Sequence, residues 1–302
     1  MQVTVVSFAR EPLATMLRFV AWHRAMGATQ QRLYLDPDDP AFPYLSVLPD
    51  VTTIRCDAAF WAGFGLNSDS EFRQRQIAAL THGYRAVTEG WVAVLDADEL
   101  FWFNGRSFGD VLSLDGDVRS IRVLTAELVH HANPLSGQTH FRNALTVGQC
   151  SAVYGADAFL LRRTNGLVGH REGKSITRAG LGIRRMRPHF AALARHTPGT
   201  DVIWSGIEGA HLLHFLNDGF ENWRSKLDRR LRGNGIRPRM KAAIQKILAT
   251  DTPEPALRAF FAAVHGIDDE TLARLHGMQA HLRLDIDFDA PARALFGPLS
   301  VT

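Results

Sequence analysis

The sequence predicts an α/β protein with a mainly parallel central sheet, helices on both faces and a helical C-terminal extension. Three observations carry this. Short apolar runs rich in β-branched residues recur, as in V-T-V-V-S-F at 3–8 and W-V-A-V-L at 91–95, the pattern of strands buried on both faces. Between them lie stretches whose apolar residues recur at spacings of three and four. The alternation of the two gives βαβ units, and their parallel strands build such a sheet.

The elements follow in order. After the first strand, Leu13, Met16, Leu17, Val20 and Met26 share a helical face, with Arg18 and Arg24 off it. Pro12 suits the start of this helix and Gly27 its end. Q-R-L-Y-L at 31–35 reads as a second strand running into the loop D-P-D-D-P, and V-T-T-I-R-C at 51–56 as a third. Residues 70–88 carry a helical pattern with Phe72, Ile77, Leu80 and Tyr84, the strand 91–95 follows, and 119–124 reads as one more. Residues 131–150 and 163–200, rich in Gly, Arg, His and Asn, read as long irregular segments of the kind that form active-site loops. Residues 217–232 are helical, with Phe220, Trp223, Leu227 and Leu231 on one face. From 239 to about 283 the pattern is helical again, broken near Pro253 and Gly266. The division expected is a first domain over 1–216 and a helical extension over 217–302.

Composition bounds the function classes. With 302 residues, 46% hydrophobic and 22% charged, the chain can bury a sizeable core and is unlike a disordered one. A net charge of +3 permits an acidic ligand without demanding nucleic acid. Two cysteines, Cys56 and Cys150, with no C-x-x-C spacing fit a reducing cytoplasm. The apolar run after Met1 is too short for a signal peptide, and no stretch reaches the roughly 18 apolar residues of a membrane helix. The location expected is cytoplasmic, with peripheral contact at the inner face of a membrane left open.

The residues with the most specific chemistry are Asp96 and Asp98, in V-L-D-A-D-E at the end of a buried strand. Residues two apart on extended backbone point to the same side, and two anions there repel. A divalent cation relieves that repulsion. Mg²⁺ and Mn²⁺ take one or two protein carboxylates and leave other positions to water and phosphate. The plainer reading is an exposed acidic turn. Ligands of parallel sheets bind beyond the strands' carboxyl ends, which puts Ser7–Glu11, Asp36–Asp39 and Asp96–Glu99 on one rim.

The segments V-V-S-F-A-R-E, F-V-A-W-H-R-A-M-G, L-Y-L-D, R-Q-R-Q and W-V-A-V-L-D-A-D-E-L-F, in this order and spacing, resemble the family-2-like and family-92 glycosyltransferases, often of polysaccharide and lipopolysaccharide loci. The likeness covers about residues 3–103. It resumes with G-H-R-E-G-K-S-I-T-R at 169–178 and H-L-L-H-F-L-N-D-G-F-E-N-W-R-S-K at 211–226. Two departures stand out: Arg10-Glu11-Pro12 replaces the family's Lys/Arg-Asn-Glu, and His214-Phe215 replaces its commoner His-Tyr. The resemblance implies a GT-A (Rossmann-like) fold and a nucleoside-diphosphate sugar, a UDP-sugar foremost, as donor. It implies a Mn²⁺ or Mg²⁺ ion and a saccharide or glycolipid acceptor. By the same analogy Ser7, Arg10 and Glu11 lie near the base and ribose, Asp36 near the uracil or ribose, and Arg75 and Gln76 near the nucleotide. Asp96 touches the ribose or a metal-bound water, Asp98 ligates the metal, and His214 is a late metal or diphosphate ligand.

Sugar transfer leaves negative charge on the diphosphate, which Lys174 or Arg178 would stabilise as fixed cations. Together with Arg184, Arg185 and Arg187 they suit a lid closing on the diphosphate. An inverting reaction also needs a base with a pKa raised toward neutrality. Glu127 is the candidate, with Glu172 and Asp157 competing. Two other classes compete: a phosphatase or phosphotransferase using D-x-D, and a non-enzymatic nucleic-acid binder using the Arg-rich 162–187 stretch. The motif's late position and Glu99 after it disfavour the first, and the weak net charge disfavours the second.

Overall fold

The apolar runs become strands where the sequence puts them, and several polar segments become strands as well. In chain order the strands are β1 (Val3–Phe8), β2 (Gln30–Leu35), β3 (Val51–Arg55), β4 (Trp91–Val94), β5 (Glu99–Trp102), β6 (Ser120–Val123), β7 (Thr125–His131), β8 (Thr139–Asn143), β9 (Lys174–Arg178), β10 (Asp201–Trp204), β11 (His211–His214), β12 (Gly266–Ile267) and β13 (His281–Leu284). This computed structural model describes residues 1–113, 117–133, 137–191, 201–233 and 236–298. The chain forms two compact units: Met1–Leu124 with Glu172–Leu212 and Asp287–Thr302, and Thr125–Arg171 with Leu213–Ile286.

The first unit holds a seven-stranded sheet in the order β10-β6-β9-β4-β1-β2-β3. β3, β2, β1 and β4 are mutually parallel, as are β6 and β10; β9 runs antiparallel between β4 and β6. The sheet is therefore mainly parallel. From β1 the chain steps outward to β2 and β3, then returns to place β4 on the other side of β1. The order reverses there, and such a switch point opens a crevice beyond the strands' carboxyl ends.

Strand alternation sends Val6 and Phe8 to one face of β1 and Val5 and Ser7 to the other. On the first face Val6 and Phe8 join Tyr34, Val92 and Val94 in a core with Ala79, Leu80 and Tyr84 of the helix Phe72–Arg85. Gly83 permits that approach, since a Cβ there would lie 2.4 Å from Val6 Cγ1. The helix Leu13–Ala25 buries Phe19, Val20 and Trp22. The side-chain amide of Gln31 on β2 donates to the Val20 carbonyl at 2.8 Å. The C-terminal helix Ala290–Phe296 belongs to this unit, tied by the Arg18–Asp289 ion pair at 2.6 Å and by Phe288 against Trp22. The cut expected near residue 216 is thus replaced by a discontinuous division, because the last helix packs on the first.

In the second unit β8 pairs antiparallel with β7 and β13, and β12 pairs in parallel with β7. The helices Gly219–Arg232, Pro238–Leu248 and Pro253–His265 pack through Trp223, Leu227, Ile244, Leu257 and Phe261. The stretch read as irregular over 131–150 contains β8 and the start of the capped helix Val147–Tyr154, and the helical reading of 239–283 overlooks β12 and most of β13. No helix among the described residues is long and apolar enough to cross a membrane.

Candidate active site

β4 ends at Val94, and the chain turns through Asp96–Asp98 before β5 begins at Glu99. The Glu99 N–H donates to the Asp96 carbonyl at 3.1 Å, and the Asp96 N–H donates to Glu99 Oε2 at 2.9 Å. The pair therefore sits in a tight turn rather than on extended strand. Asp96 and Asp98 are nevertheless both half-buried, with Ala97 buried between them, so the alternation survives.

Two side chains hold Asp96. Lys174 Nζ donates to its Oδ2 at 2.5 Å, and Gln76 Nε2 donates to its Oδ1 at 2.7 Å. Lys174 also lies 3.1 Å from Glu99 Oε2. The side chains of Lys174 and Glu99 are fully buried, whereas that of Asp96 remains 34% exposed, so the cluster opens on the aspartate side. Burial pushes the Asp96 carboxyl upward, Lys174 opposes this, and Glu99 and Asp98 push the same way as burial. For Lys174 burial works against the ammonium, yet Asp96 and Glu99 outweigh it and hold its pKa above the ordinary lysine value. Asp96 and Glu99 share the Lys174 ammonium, and Asp98 acts on the Asp96 carboxyl beside them.

Local sequence explains how Lys174 arrives. Because β9 is antiparallel, its first residue lies at the rim where β4 ends. Gly173 precedes it at φ +71°, and a Cβ there would come within 1.9 Å of the Val123 carbonyl oxygen. Only glycine fits that approach. Gln76 comes from the helix seated on the sheet through Gly83.

A second group lies at the carboxyl ends of β1, β2 and β3. Arg10 and Asp36, following the paired strands β1 and β2, form an ion pair at 3.2 Å. Arg75 sits 5.5 Å from the Trp61 ring and 5.9 Å from that of Phe8, and Phe8 stacks on the half-exposed Phe72 at 5.3 Å. The Cys56 thiol is pushed up to about 12 by burial and then by Asp36, with Arg75 opposing, which puts both charges near the end of β3. Among the described residues the buried Ser7 Oγ and Trp61 Nε1 make no hydrogen bond, and buried polar atoms of this kind ordinarily find a partner. Glu11 is half-buried just before the first helix.

Arg178, also singled out from the sequence, does not join this rim. Arg178 pairs in register with Trp91 at the opposite end of β4, about 13 Å along the strand from Lys174 at ~3.3 Å per residue. There its guanidinium lies 4.5 Å from the Trp91 ring, and its Nε donates to the Val118 carbonyl. A strand position fixes Lys174 and Arg178, so neither belongs to a movable lid; of the irregular stretch expected over 163–200, residues 192–200 lie outside the described residues.

Glu127 belongs to the second unit and is fully buried on β7. Its Oε1 accepts from Arg142 Nη2 at 2.6 Å and the Val168 N–H at 2.8 Å, and its Oε2 accepts from the Gly169 N–H at 2.6 Å. Burial alone would raise its pKa; Arg142, then His214 and the two N–H groups, hold it at about 2. A general base at neutral pH needs the opposite shift, so Glu127 is a fixed anion that seats the 168–170 loop. His214 lies buried in this unit, its ring 5.2 Å from that of His170. A Cβ on Gly169 would come within 2.8 Å of the His214 ring. The Glu127–Arg142 pair is the feature sequence reading missed, since its members are 15 residues apart on different strands.

No family model matches the sequence, and no curated protein matches it. Solved structures overlay parts of it. The glycosyltransferase GlyE of Streptococcus pneumoniae is 14% identical over 41% of this chain and 30% of GlyE, with a TM-score of 0.27. The galactosyltransferase LgtC, in complex with donor and acceptor sugar analogues, is 12% identical over 58% of this chain and 57% of its own, with a TM-score of 0.28. HddC from Yersinia pseudotuberculosis is 10% identical over 76% of this chain and 99% of its own, with a TM-score of 0.36. The chain thus spans under a third of GlyE and little over half of LgtC. Overlaps of this extent leave the description of the fold to the strand order itself.

Proposed function

We propose that the protein is a metal-dependent glycosyltransferase of the GT-A type. It moves a sugar from a nucleoside-diphosphate sugar, UDP-sugars foremost, to the hydroxyl of a saccharide or glycolipid acceptor. One observation carries the reading: an acid-rich turn at the carboxyl end of β4, where the strand order reverses around β1. Its donors are hard carboxylate oxygens, the set Mg²⁺ and Mn²⁺ prefer. In this reading Asp98 is the principal metal ligand, with Asp96 beside it held by Gln76 and Lys174. Bound there, the ion would supply Lewis-acid stabilisation to the leaving diphosphate.

The chain's own residues do the positioning. Lys174 spends its charge on Asp96 and Glu99, which supports a role in fixing Asp96 rather than in binding the diphosphate directly. Gln76 fixes the other oxygen of the same carboxylate. At the neighbouring strand ends, Arg10, Asp36 and Arg75 offer charges and Phe8, Phe72 and Trp61 offer ring faces, a combination suited to a base and ribose. The orphaned Ser7 hydroxyl and Trp61 N–H fit a polar ligand at that rim.

Replacing Asp98 with Ala tests the reading. Sugar transfer and donor hydrolysis, measured with Mn²⁺ across UDP-, GDP- and CMP-sugars, should fall about 10²–10³-fold for the donor the wild type uses, the scale of losing one electrostatic stabiliser. Full activity in Asp98→Ala would refute the assignment.

A further inference from the structure

Four of the chain's 13 histidines stand in a row across the second unit. His131 ends β7, His140 lies on β8, His281 begins β13, and His276 is in the last turn of the helix Asp269–Gly277. Val129 faces His140 across β7–β8, and Arg142 faces His281 across β8–β13. Register therefore sets the three strand histidines on successive diagonals. Ring centroids are 5.4 Å apart for His131–His140, 5.2 Å for His140–His281 and 6.2 Å for His276–His281. His140 Nδ1 and His281 Nε2 approach to 3.0 Å.

We propose that His140 and His281, with His276 as third ligand, bind a divalent ion of borderline softness such as Zn²⁺, at a site separate in ligands and metal preference from the acidic turn. The inference does not depend on the glycosyltransferase reading. Zn–N bonds of ~2.0–2.1 Å at the tetrahedral angle put two nitrogens about 3.3 Å apart. The 3.0 Å separation opens to that value with a few tenths of an ångström of movement. In the metal-free protein an N–H···N bond joins the two rings; on metal binding the donating ring carries its proton on its other nitrogen, so that both facing nitrogens bind the ion as neutral imidazoles.

Metal binding takes neutral imidazoles, and His140 is buried on the central strand of the three that carry the row. Arg283, the register partner of His140, lies 3.5 Å from Asp285, which offsets its repulsion of a cation. His131 is not a ligand: its Nε2 is 3.0 Å from Asp269 Oδ1 and its Nδ1 is 2.9 Å from the Asn133 carbonyl. It packs as a fixed wall against the His140 ring. His276 is exposed, its ring 6.2 Å from that of His281. Imidazole nitrogens suit Zn²⁺ and Ni²⁺, whereas Mg²⁺ and Mn²⁺ prefer the carboxylates elsewhere.

The test is a calorimetric ZnCl₂ titration of the EDTA-treated full chain, with Co²⁺ absorption as a report on coordination. Wild type should bind one Zn²⁺ that His140→Gln/His281→Gln does not bind. Each single change should weaken that binding at least tenfold, His276→Gln less, and His131→Gln should leave it nearly unchanged. Visible Co²⁺ bands of a tetrahedral site should appear in wild type and vanish in the double variant. Should the double variant misfold by circular dichroism, the single variants carry the same comparison. A Zn²⁺ titration unaltered by these changes, or Co²⁺ bands that persist without His281, would overturn the proposal.

Discussion

Among the described residues two carboxylate–cation clusters, Glu127–Arg142 and Asp96–Lys174–Glu99, are built to opposite ends. In the second unit Glu127 and Arg142 are both sealed from solvent; the carboxylate accepts from Arg142 and two backbone N–H groups, and Arg142 also donates to Tyr154 and the Val264 carbonyl. Charge is balanced and the donors are spent, so Glu127 is held at about 2. In the first unit Asp96 and Glu99 share Lys174, the Asp96 side chain stays a third exposed, and burial with its acidic neighbours pushes the Asp96 carboxyl up. The lesson is that burial and an ion pair do not by themselves mark a functional site. A carboxylate left open on one side and pushed up by neighbouring acids is the better marker.

Breaking the closed cluster should cost most. Arg142→Met leaves Glu127 buried without its cation and should lower stability by about 3–5 kcal/mol, whereas adding Glu127→Gln should recover much of it. Urea unfolding of the two variants measures the difference; equal losses would mean the pair is not a closed unit.

Lys174→Met probes the open cluster. It should destabilise the protein by a few kcal/mol, on the scale of removing one partner from a buried pair. It should also enlarge the rise in Tm on adding Mn²⁺, because the ion then balances acids the lysine had served. A Mn²⁺ response identical in the variant and wild type would separate the ion from this cluster.

Acid titration sharpens the contrast by its sign. Burial holds His265 at about 3 and His23 at about 4 in the folded protein. Unfolded histidine takes its proton near 6.5, so the unfolded state binds more protons below that pH and stability falls as pH drops from about 6.5. Glu127 adds a second loss. Its stabilisation is complete above about 4.5 and disappears as pH falls toward 2, where the folded carboxylate protonates. Unfolding free energies from pH 8 to 3 should be flat above 7 and then fall in these two stages. His265→Leu should reduce the proton uptake of the first stage by about one. A profile flat from pH 7 to 5 would contradict the neutral burial of these histidines.

Much of this was legible in the sequence where one local pattern decided the structure. Val3–Phe8 and Trp91–Val94 read as buried strands because nearly every residue is apolar, and Leu13–Ala25 and Phe72–Arg85 read as helices because one face is. The D-A-D-E turn was visible as an acid pair ending such a strand. β9 was not: K-S-I-T-R has the polarity of a loop, and its burial depends on Lys174 meeting Asp96, 78 residues away. The same gap hid the strand direction that sets Lys174 at the rim and Arg178 at the far end. T-H-F-R-N of β8 reads as surface until Glu127 is placed against Arg142. The discontinuous units were hidden for a related reason, since Phe288 and Asp289 pack on Trp22 and Arg18 across most of the chain.

The central claim is that the turn after β4 joins a divalent cation to a nucleoside diphosphate. Calorimetric titration of UDP into wild type and Asp98→Asn, each with and without Mn²⁺, tests it most directly. The expected result is wild-type binding at least tenfold tighter with the ion, and an Asp98→Asn protein that keeps its fold but loses this enhancement. Equal UDP affinity with and without Mn²⁺ in wild type, or an enhancement that survives in Asp98→Asn, would contradict it.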